Sequence, residues 1–150
     1  MEIMKVKVGD VAPDFRLLSN SGEEVSLSEF RGNKSVVLYF YPKDETLGCT
    51  KEACAFRDSY QVFKEQGAEV VGVSSDSVDS HQSFANHHQL SFPLLSDSQG
   101  KVRKMYGVSS TLGLLPGRVT YVIDKQGIVR SVFNSQIHPE QHIKEALKGL

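Results

Sequence analysis

One stretch of the chain decides its fold: residues 36–54 have the sequence VVLYFYPKDETLGCTKEAC. The apolar run to Tyr41 predicts a strand that is covered on both faces, and Pro42 begins a short polar loop. A helix is predicted from Thr50 to Gln66, which places Cys49 at its first turn. Unpaired N–H groups and a partial positive charge at a helix N-terminus favour thiolate over thiol. Cys49 is therefore the first candidate for a nucleophile.

The remaining pattern predicts an α/β fold. Short strands at 14–18 and 24–27 flank the turn cluster 19–22, which predicts an N-terminal β-hairpin. Strands and helices then alternate: strands at 69–74, 119–124 and 128–133, helices at 77–89 and 139–148, a turn and helix at 97–106, and a short strand or extended loop at 92–95. Pro139 in the first turn and Gly149 just past the end bound the last helix. We expect one domain, residues 1–150, with a mixed central sheet and helices on both faces.

The composition excludes several classes of function. Hydrophobic residues make up 39% of the 150 residues and charged residues 23%, which is ordinary for a globular protein. The formal net charge of −1 gives no support for binding nucleic acid or an anionic membrane. No stretch approaches the roughly 20 apolar residues of a membrane helix, and the first residues lack the apolar core of a secretory signal. We expect a soluble protein of the bacterial cytoplasm, or of the chloroplast if a transit peptide has been removed.

The two cysteines, Cys49 and Cys54, are too few for a secreted disulfide scaffold. Their spacing matches neither a C-x-x-C pair nor a four-ligand zinc pattern. An inert buried thiol is the alternative for Cys49, but its position between a strand and a helix favours reactive chemistry.

The histidines and glycines predict neither a metal nor a cofactor. His138 and His142 lie four residues apart, but the pattern is not that of a zinc protease, and we expect surface or capping roles. The neighbours His87 and His88 are predicted to point in different directions from a helix, so they would not share a metal. No glycine-rich phosphate loop is present in the sequence, so no nucleotide cofactor is implied.

Several ordered motifs resemble those of the peroxiredoxins. Residues 41–50, YPKDETLGCT, are similar to the loop that carries the peroxide-reacting cysteine of that family. Residues 51–58, KEACAFRD, resemble its peroxiredoxin Q (bacterioferritin comigratory protein) branch, and the likeness extends to residues 8–15, 93–97 and 116–124. The resemblance implies a thioredoxin-like fold and a thiol-dependent peroxidase for hydrogen peroxide and organic hydroperoxides, acting in antioxidant defence. It also favours a monomer.

The chemistry of peroxide reduction suggests further site residues. A thiolate that attacks a peroxide releases an alkoxide or hydroxide, so the site needs hydrogen-bond donors and a cation. The Thr46 hydroxyl and the backbone N–H groups of Gly48 and Cys49 are the candidate donors. Arg118 is the candidate cation, because it leads into a strand expected beside the one before the loop, and Pro42 would shield the thiolate. Without the other motifs, a turn role for Thr46 is as well supported as a catalytic one. Arg118 by itself would be interpreted as a surface side chain.

Two features remain open at this point. Leu47 stands where the family usually has proline. A proline there would preset φ and stiffen the loop, so the sequence leaves open how rigid the loop is with leucine instead. The apolar segment 112–115 lines the substrate pocket or a partner surface, or is a plain loop.

Cys54 raises a geometric question. On a regular helix, positions five apart have Cα atoms about 8 to 9 Å apart, whereas a disulfide requires roughly 4.4 to 6.8 Å. Either Cys54 is a bystander, or the start of the helix unwinds in each catalytic cycle. We favour the second alternative, in which Cys54 attacks the sulfenic acid of Cys49 and thioredoxin or a similar dithiol reduces the resulting disulfide.

Two other functions compete with peroxide reduction. A protein disulfide reductase would share the fold, but such proteins normally carry C-x-x-C at the helix start, which this chain lacks. A redox-sensing or chaperone-like interaction protein would react with peroxide without being recycled by thioredoxin.

Overall fold

The computed structural model describes residues 6–108, 110–111 and 115–150. Most of the apolar segment 112–115 lies outside the described residues. The regular elements are, in chain order, β1 (Arg16–Ser19), β2 (Glu24–Ser26), a 3-10 helix (Leu27–Phe30), β3 (Ser35–Phe40), α1 (Leu47–Glu65), β4 (Ala68–Ser74), α2 (Val78–His88), β5 (Leu94–Ser96), α3 (Lys101–Tyr106), β6 (Ser110–Thr111), β7 (Leu115–Pro116), β8 (Val119–Ile123), β9 (Val129–Asn134) and α4 (Gln141–Gly149). Among these helices, none in the described ranges has the length and apolar character needed to cross a bilayer.

Seven strands form one mixed sheet in the order β2-β1-β5-β4-β3-β8-β9. β4 is parallel to both β3 and β5, and α1 and α2 supply the crossover connections that parallel neighbours need. The pairs β1/β2, β1/β5, β3/β8 and β8/β9 are antiparallel, and β6 and β7 form a separate antiparallel pair. The predicted mixed sheet and N-terminal hairpin are confirmed.

Both faces of the sheet are covered, which explains the continuous apolar run in β3. Val37 and Tyr39 belong to a core that includes side chains of α1, α2 and α4. Val36, Leu38 and Phe40 belong to a second core that includes α3 and the chain before β1. Because side chains alternate along a strand, each face of β3 needs its own apolar set. The prediction of helices on both faces is confirmed.

The bounds of α1 and α4 differ from the predicted ones. α1 begins earlier than predicted, because Thr46 takes the extended backbone of an N-cap residue (φ −81°, ψ 156°) and Leu47 starts the helix. α4 begins after Pro139 and includes Gly149. A Cβ at Gly149 would lie 2.7 Å from the Cβ of Ser131, so the glycine allows the end of α4 to approach β9.

The sheet brings two distant segments together at the carboxyl end of β3. In the antiparallel pair β3/β8, Phe40 lies opposite Val119. The loop that follows β3 therefore lies beside Arg118, which directly precedes β8. Reacting groups of open α/β sheets gather at the carboxyl ends of the parallel strands, and α1 also begins at this end.

Candidate active site

Cys49 lies in the first turn of α1, where the sequence predicts it, and only 1% of the residue is exposed. The first helical hydrogen bond runs from the Thr50 N–H to the Thr46 carbonyl, at 2.9 Å. The N–H groups of Leu47, Gly48 and Cys49 precede that bond, so helix geometry gives them no acceptor within α1. These groups and the helix dipole stabilise negative charge at the thiol.

Arg118 places a cation beside this thiol. The guanidinium is buried, and its Nη2 lies 3.4 Å from the Sγ of Cys49. The Nη1 group donates to Oε1 of Glu52 at 2.6 Å, and Nε donates to the Gln136 carbonyl at 3.3 Å. Gly48 permits this approach, since a Cβ there would lie 3.0 Å from Nη2. Burial lowers the pKa of Arg118, but Glu52 and Cys49 raise it above its usual value, so the guanidinium stays charged.

Glu52 is a residue of the site that the sequence analysis missed. Its side chain is fully buried, and burial raises its pKa to about 8, although the pairing with Arg118 opposes this shift. Among the described residues, its Oε2 atom has no hydrogen-bond partner. Its Oε1 accepts from Arg118 at 2.6 Å, so the carboxyl group and the guanidinium form a buried pair. The spacing offered a signal, because Glu52 follows Cys49 by three residues and so shares its helix face.

His142 packs behind Glu52, and the prediction of a surface or capping role for it is wrong. Its ring is fully buried. The Nε2–H donates to the Ser135 carbonyl at 2.8 Å, so Nδ1 accepts from the Thr120 hydroxyl at 2.7 Å. Burial lowers the pKa of His142 to about 4, which keeps the ring neutral at pH 7. His138, by contrast, is exposed as predicted.

Thr46 and Pro42 belong to the loop between β3 and α1. Thr46 is exposed, and its hydroxyl donates to the Lys43 carbonyl at 2.8 Å. Because a hydroxyl has one proton, Thr46 can donate to a peroxide only after it leaves that carbonyl. Pro42 is half-buried.

Arg103 on α3 joins the two segments that carry the site. Its Nη2 donates to the Tyr41 carbonyl at 3.0 Å, and its Nη1 donates to the Gly117 carbonyl at 3.1 Å. Tyr41 precedes the loop that leads to Cys49, and Gly117 precedes Arg118. The sequence gives no signal for this role, because an arginine between lysines on a short helix has the pattern of a solvated charge.

A buried network fixes the loop to α2. His81 Nε2–H donates to the Leu95 carbonyl at 2.9 Å, and its Nδ1 lies within hydrogen-bond distance, 2.7 Å, of Oδ2 of Asp44. The Tyr41 hydroxyl donates to the same carboxyl at 2.5 Å, and the Asp44 N–H donates to Asp76 at 2.8 Å. Neither Asp44 nor His81 has a sequence signal of this role, since the two residues lie 37 positions apart in the chain.

His87 and His88 lie side by side at the end of α2, and the prediction that they point in different directions is wrong. Their ring centroids are 4.1 Å apart, with an angle of 34° between the rings. Both rings hydrogen-bond to the carboxylate of Glu45 in the loop before Cys49.

Cys54 is half-buried, and both cysteines are free thiols. α1 is continuous from Leu47 to Glu65. In this conformation the two Cα atoms are about 8 to 9 Å apart by helix geometry, beyond the range of a disulfide.

These features together define a class of protein. A buried thiol at a helix N-terminus, with an arginine beside it and at the carboxyl end of a central strand, is an arrangement of thiol-based redox enzymes. The sequence model of the AhpC/TSA family matches residues 8–132. The chain belongs to this family and, within it, to the peroxiredoxin Q or bacterioferritin comigratory protein branch; it is a thiol-dependent peroxidase.

Its similarity to curated relatives extends over almost the whole chain. Chloroplastic peroxiredoxin Q of Sedum lineare is 59% identical over 147 residues, which are 97% of this chain and 78% of the relative. Chloroplastic peroxiredoxin Q of Triticum aestivum is 58% identical over 145 residues, 96% of this chain and 66% of the relative. The chain thus spans part of the length of these proteins.

Solved structures confirm the predicted thioredoxin-like fold. Peroxidoxin BcpB from Mycobacterium tuberculosis is 41% identical, with a TM-score of 0.89 and coverage of 96% of each chain. A cysteine-to-serine mutant of PrxQ from Xylella fastidiosa is 28% identical, with a TM-score of 0.86 and coverage of 97% of each chain.

Proposed function

We propose that Cys49 reduces hydrogen peroxide and organic hydroperoxides. Its thiolate attacks one peroxide oxygen, the O–O bond breaks, and the departing hydroxide or alkoxide takes up a proton to become water or an alcohol. Cys49 is left as a sulfenic acid. The observation that carries this proposal is the guanidinium of Arg118, whose Nη2 lies 3.4 Å from Sγ in a buried site.

The neighbouring groups have roles that follow from charge. Arg118 stabilises both the thiolate and the negative charge that develops on the departing oxygen. The N–H groups of Gly48 and Cys49 point from the start of α1 and supply further donors. The Thr46 hydroxyl binds the peroxide after turning from the Lys43 carbonyl, and Pro42 shields the thiolate from water.

The relatives support the substrate class and the setting. Xanthomonas campestris bacterioferritin comigratory protein, 29% identical with a TM-score of 0.81, has alkyl peroxide reduction activity, which supports organic hydroperoxides as substrates here. Chloroplastic relatives support the chloroplast rather than the bacterial cytoplasm as the compartment. We further propose a monomer made of one domain, residues 1–150, that serves in antioxidant defence with a thioredoxin-type protein as its reductant.

Cys54 completes the proposed cycle. Its thiolate attacks the sulfur of the Cys49 sulfenic acid, the S–O bond breaks as the disulfide forms, and the departing hydroxide takes up a proton to become water. The first turns of α1 must unwind for this step, because the helical separation is too large. Unwinding also breaks the pair between Glu52 and Arg118, since Glu52 lies between the two cysteines. Thiol–disulfide exchange with a dithiol protein then restores both thiols.

The intact mass of the reduced protein after one equivalent of hydrogen peroxide tests this proposal. Free thiols are then alkylated, and the peptide that carries both cysteines is mapped. We expect both alkylation sites to be lost and a bond between Cys49 and Cys54, whereas a Cys49→Ser control should keep Cys54 fully alkylated. An alkylated Cys54 beside an oxidised Cys49 would exclude the resolving step. An unreacted Cys49 would exclude peroxidase chemistry at this thiol.

Replacing Leu47 with proline should stabilise the start of α1. Leu47 is the first residue of α1, and its N–H lies before the first helical hydrogen bond, so proline there would remove no bond of the helix. The preceding residue, Thr46, already has the extended backbone that proline favours in the residue before it. We expect the free energy of unfolding to rise by about 0.4 to 1 kcal/mol. Disulfide formation should slow, because the helix start opens less often.

Urea titration and stopped-flow kinetics at increasing peroxide check the Leu47→Pro variant, with Leu47→Ala as the control. More sulfinic acid at Cys49 in the proline variant is the expected result at high peroxide. Faster disulfide formation in Leu47→Pro than in Leu47→Ala would contradict the link between helix opening and resolution.

A further inference from the structure

Glu45, His87 and His88 form a cluster outside the thiol site. Oε2 of Glu45 lies 3.0 Å from Nδ1 of His87, and Oε1 lies 2.9 Å from Nε2 of His88. One potential ligand atom from each residue can be chosen so that all three lie within 4.8 Å of one another. The cluster therefore brings together two imidazole nitrogens and a carboxylate from two separate segments of the chain.

The local fold holds the two rings in place. Gln89 takes a left-handed backbone conformation (φ 54°) and ends α2 directly after the histidines. The ring of His88 packs edge-on against Phe84, with centroids 5.1 Å apart, and Arg57 donates to the His88 carbonyl at 2.9 Å. His87 is largely exposed, so water and ions reach the cluster.

The third residue is positioned from the other side. Glu45 follows Asp44, whose carboxyl group lies 2.7 Å from His81 in the middle of α2. That buried contact holds the loop against the helix that carries His87 and His88. The three side chains therefore approach one another without a large rearrangement, which lowers the entropic cost of binding an ion.

The donor set matches a borderline divalent metal ion. Zinc is bound by histidine nitrogens and carboxylate oxygens at about 2.0 to 2.2 Å, so neighbouring ligand atoms around a tetrahedral ion are about 3.3 to 3.5 Å apart. A single oxygen, Oε1 of Glu45, lies 3.2 Å from Nδ1 of His87 and 2.9 Å from Nε2 of His88, so these two separations need to widen by only a few tenths of an ångström. Water would take the fourth position.

We propose that Glu45, His87 and His88 bind one divalent transition-metal ion of the zinc type, which links the loop before Cys49 to the C-terminus of α2. This site differs from the sequence-based expectation of no metal, which assumed that the two histidines diverge. Its ligands do not include either cysteine, so the site stands apart from the proposed peroxidase chemistry.

Calorimetric titration of Zn²⁺ tests the site in the chain of residues 1–150 with Cys49→Ser and Cys54→Ser, which removes the thiols as competing ligands. We expect one ion per chain. Adding His87→Ala should weaken binding by about tenfold or more, and Glu45→Gln should weaken it without changing side-chain size. His138→Ala removes an exposed histidine elsewhere and should leave the affinity unchanged.

Hydrogen exchange of the loop amides supplies a second readout. Zn²⁺ should slow exchange in residues 43–48 of the host protein and have no such effect in the His87→Ala variant. An affinity that is equal in the host and in His87→Ala would overturn the proposal, as would a loss of binding in His138→Ala. Absence of binding in the host, or binding only when the cysteines are present, would overturn it as well.

Discussion

Replacing Arg118 with methionine should lower the second-order rate constant of Cys49 with hydrogen peroxide by about 100-fold or more. Methionine keeps much of the side-chain volume but removes the charge that lies 3.4 Å from Sγ. The thiolate and the departing oxygen then lose the same cation. The loss should appear in a single turnover measured by stopped flow, before any reductant takes part.

Two further variants separate charge from packing at this position. Arg118→Lys keeps a cation and should recover part of the rate, although lysine cannot contact Cys49 and Glu52 with the same planar fork. Glu52→Gln keeps an oxygen acceptor for Arg118 and nearly the same side-chain size, so the guanidinium stays beside Cys49. We expect its rate to stay within about threefold of the wild type. An Arg118→Met rate within that same range, in a folded protein, would contradict the proposed role.

Replacing Cys54 with serine should leave the first reduction of peroxide intact and abolish turnover supported by thioredoxin. Cys49 and its neighbours are unchanged, so the burst of one equivalent remains. The sulfenic acid then has no thiol in its own chain to attack it, and excess peroxide carries it to sulfinic acid, which thioredoxin does not reduce.

A coupled assay with thioredoxin, thioredoxin reductase and NADPH measures this loss, while mass spectrometry follows the sulfinic acid. Asp58→Ser is the matched control, because it introduces serine at an exposed position of the same helix and should turn over normally. Full turnover of Cys54→Ser would exclude the resolving role. A slow first reduction would instead show that Cys54 supports the reactivity of Cys49.

The part of the fold that is local in origin was predictable. The apolar run of β3 reflects burial on two faces, and the spacing of apolar residues in α1 reflects burial on one face. Both elements are present, with bounds within three residues of the predicted ones. The predicted start of α1, Thr50, is three residues later than the observed start, Leu47. The reason is that the N-cap role of Thr46 depends on its extended backbone, which the residue type alone does not determine.

One pairing of strands brings two of the predicted site residues, Cys49 and Arg118, close together. Arg118 lies near Cys49 because β8 pairs with β3; the two strands were expected to be neighbours, but their antiparallel direction was not predicted. His142 was misjudged because its pattern on a polar helix resembles that of a surface residue, whereas packing against β8 and β9 buries it.

The sequence by itself determined the type of fold, the position of Cys49 at a helix start, and the family, because these depend on residue order and local periodicity. Only the tertiary structure decided which polar side chains are buried together or paired: Glu52 with Arg118, Asp44 with His81, and Glu45 with the two histidines of α2. The physical reason is that burial and electrostatic pairing depend on contacts between residues far apart in the chain. Such contacts exist only once the sheet and its helices have assembled.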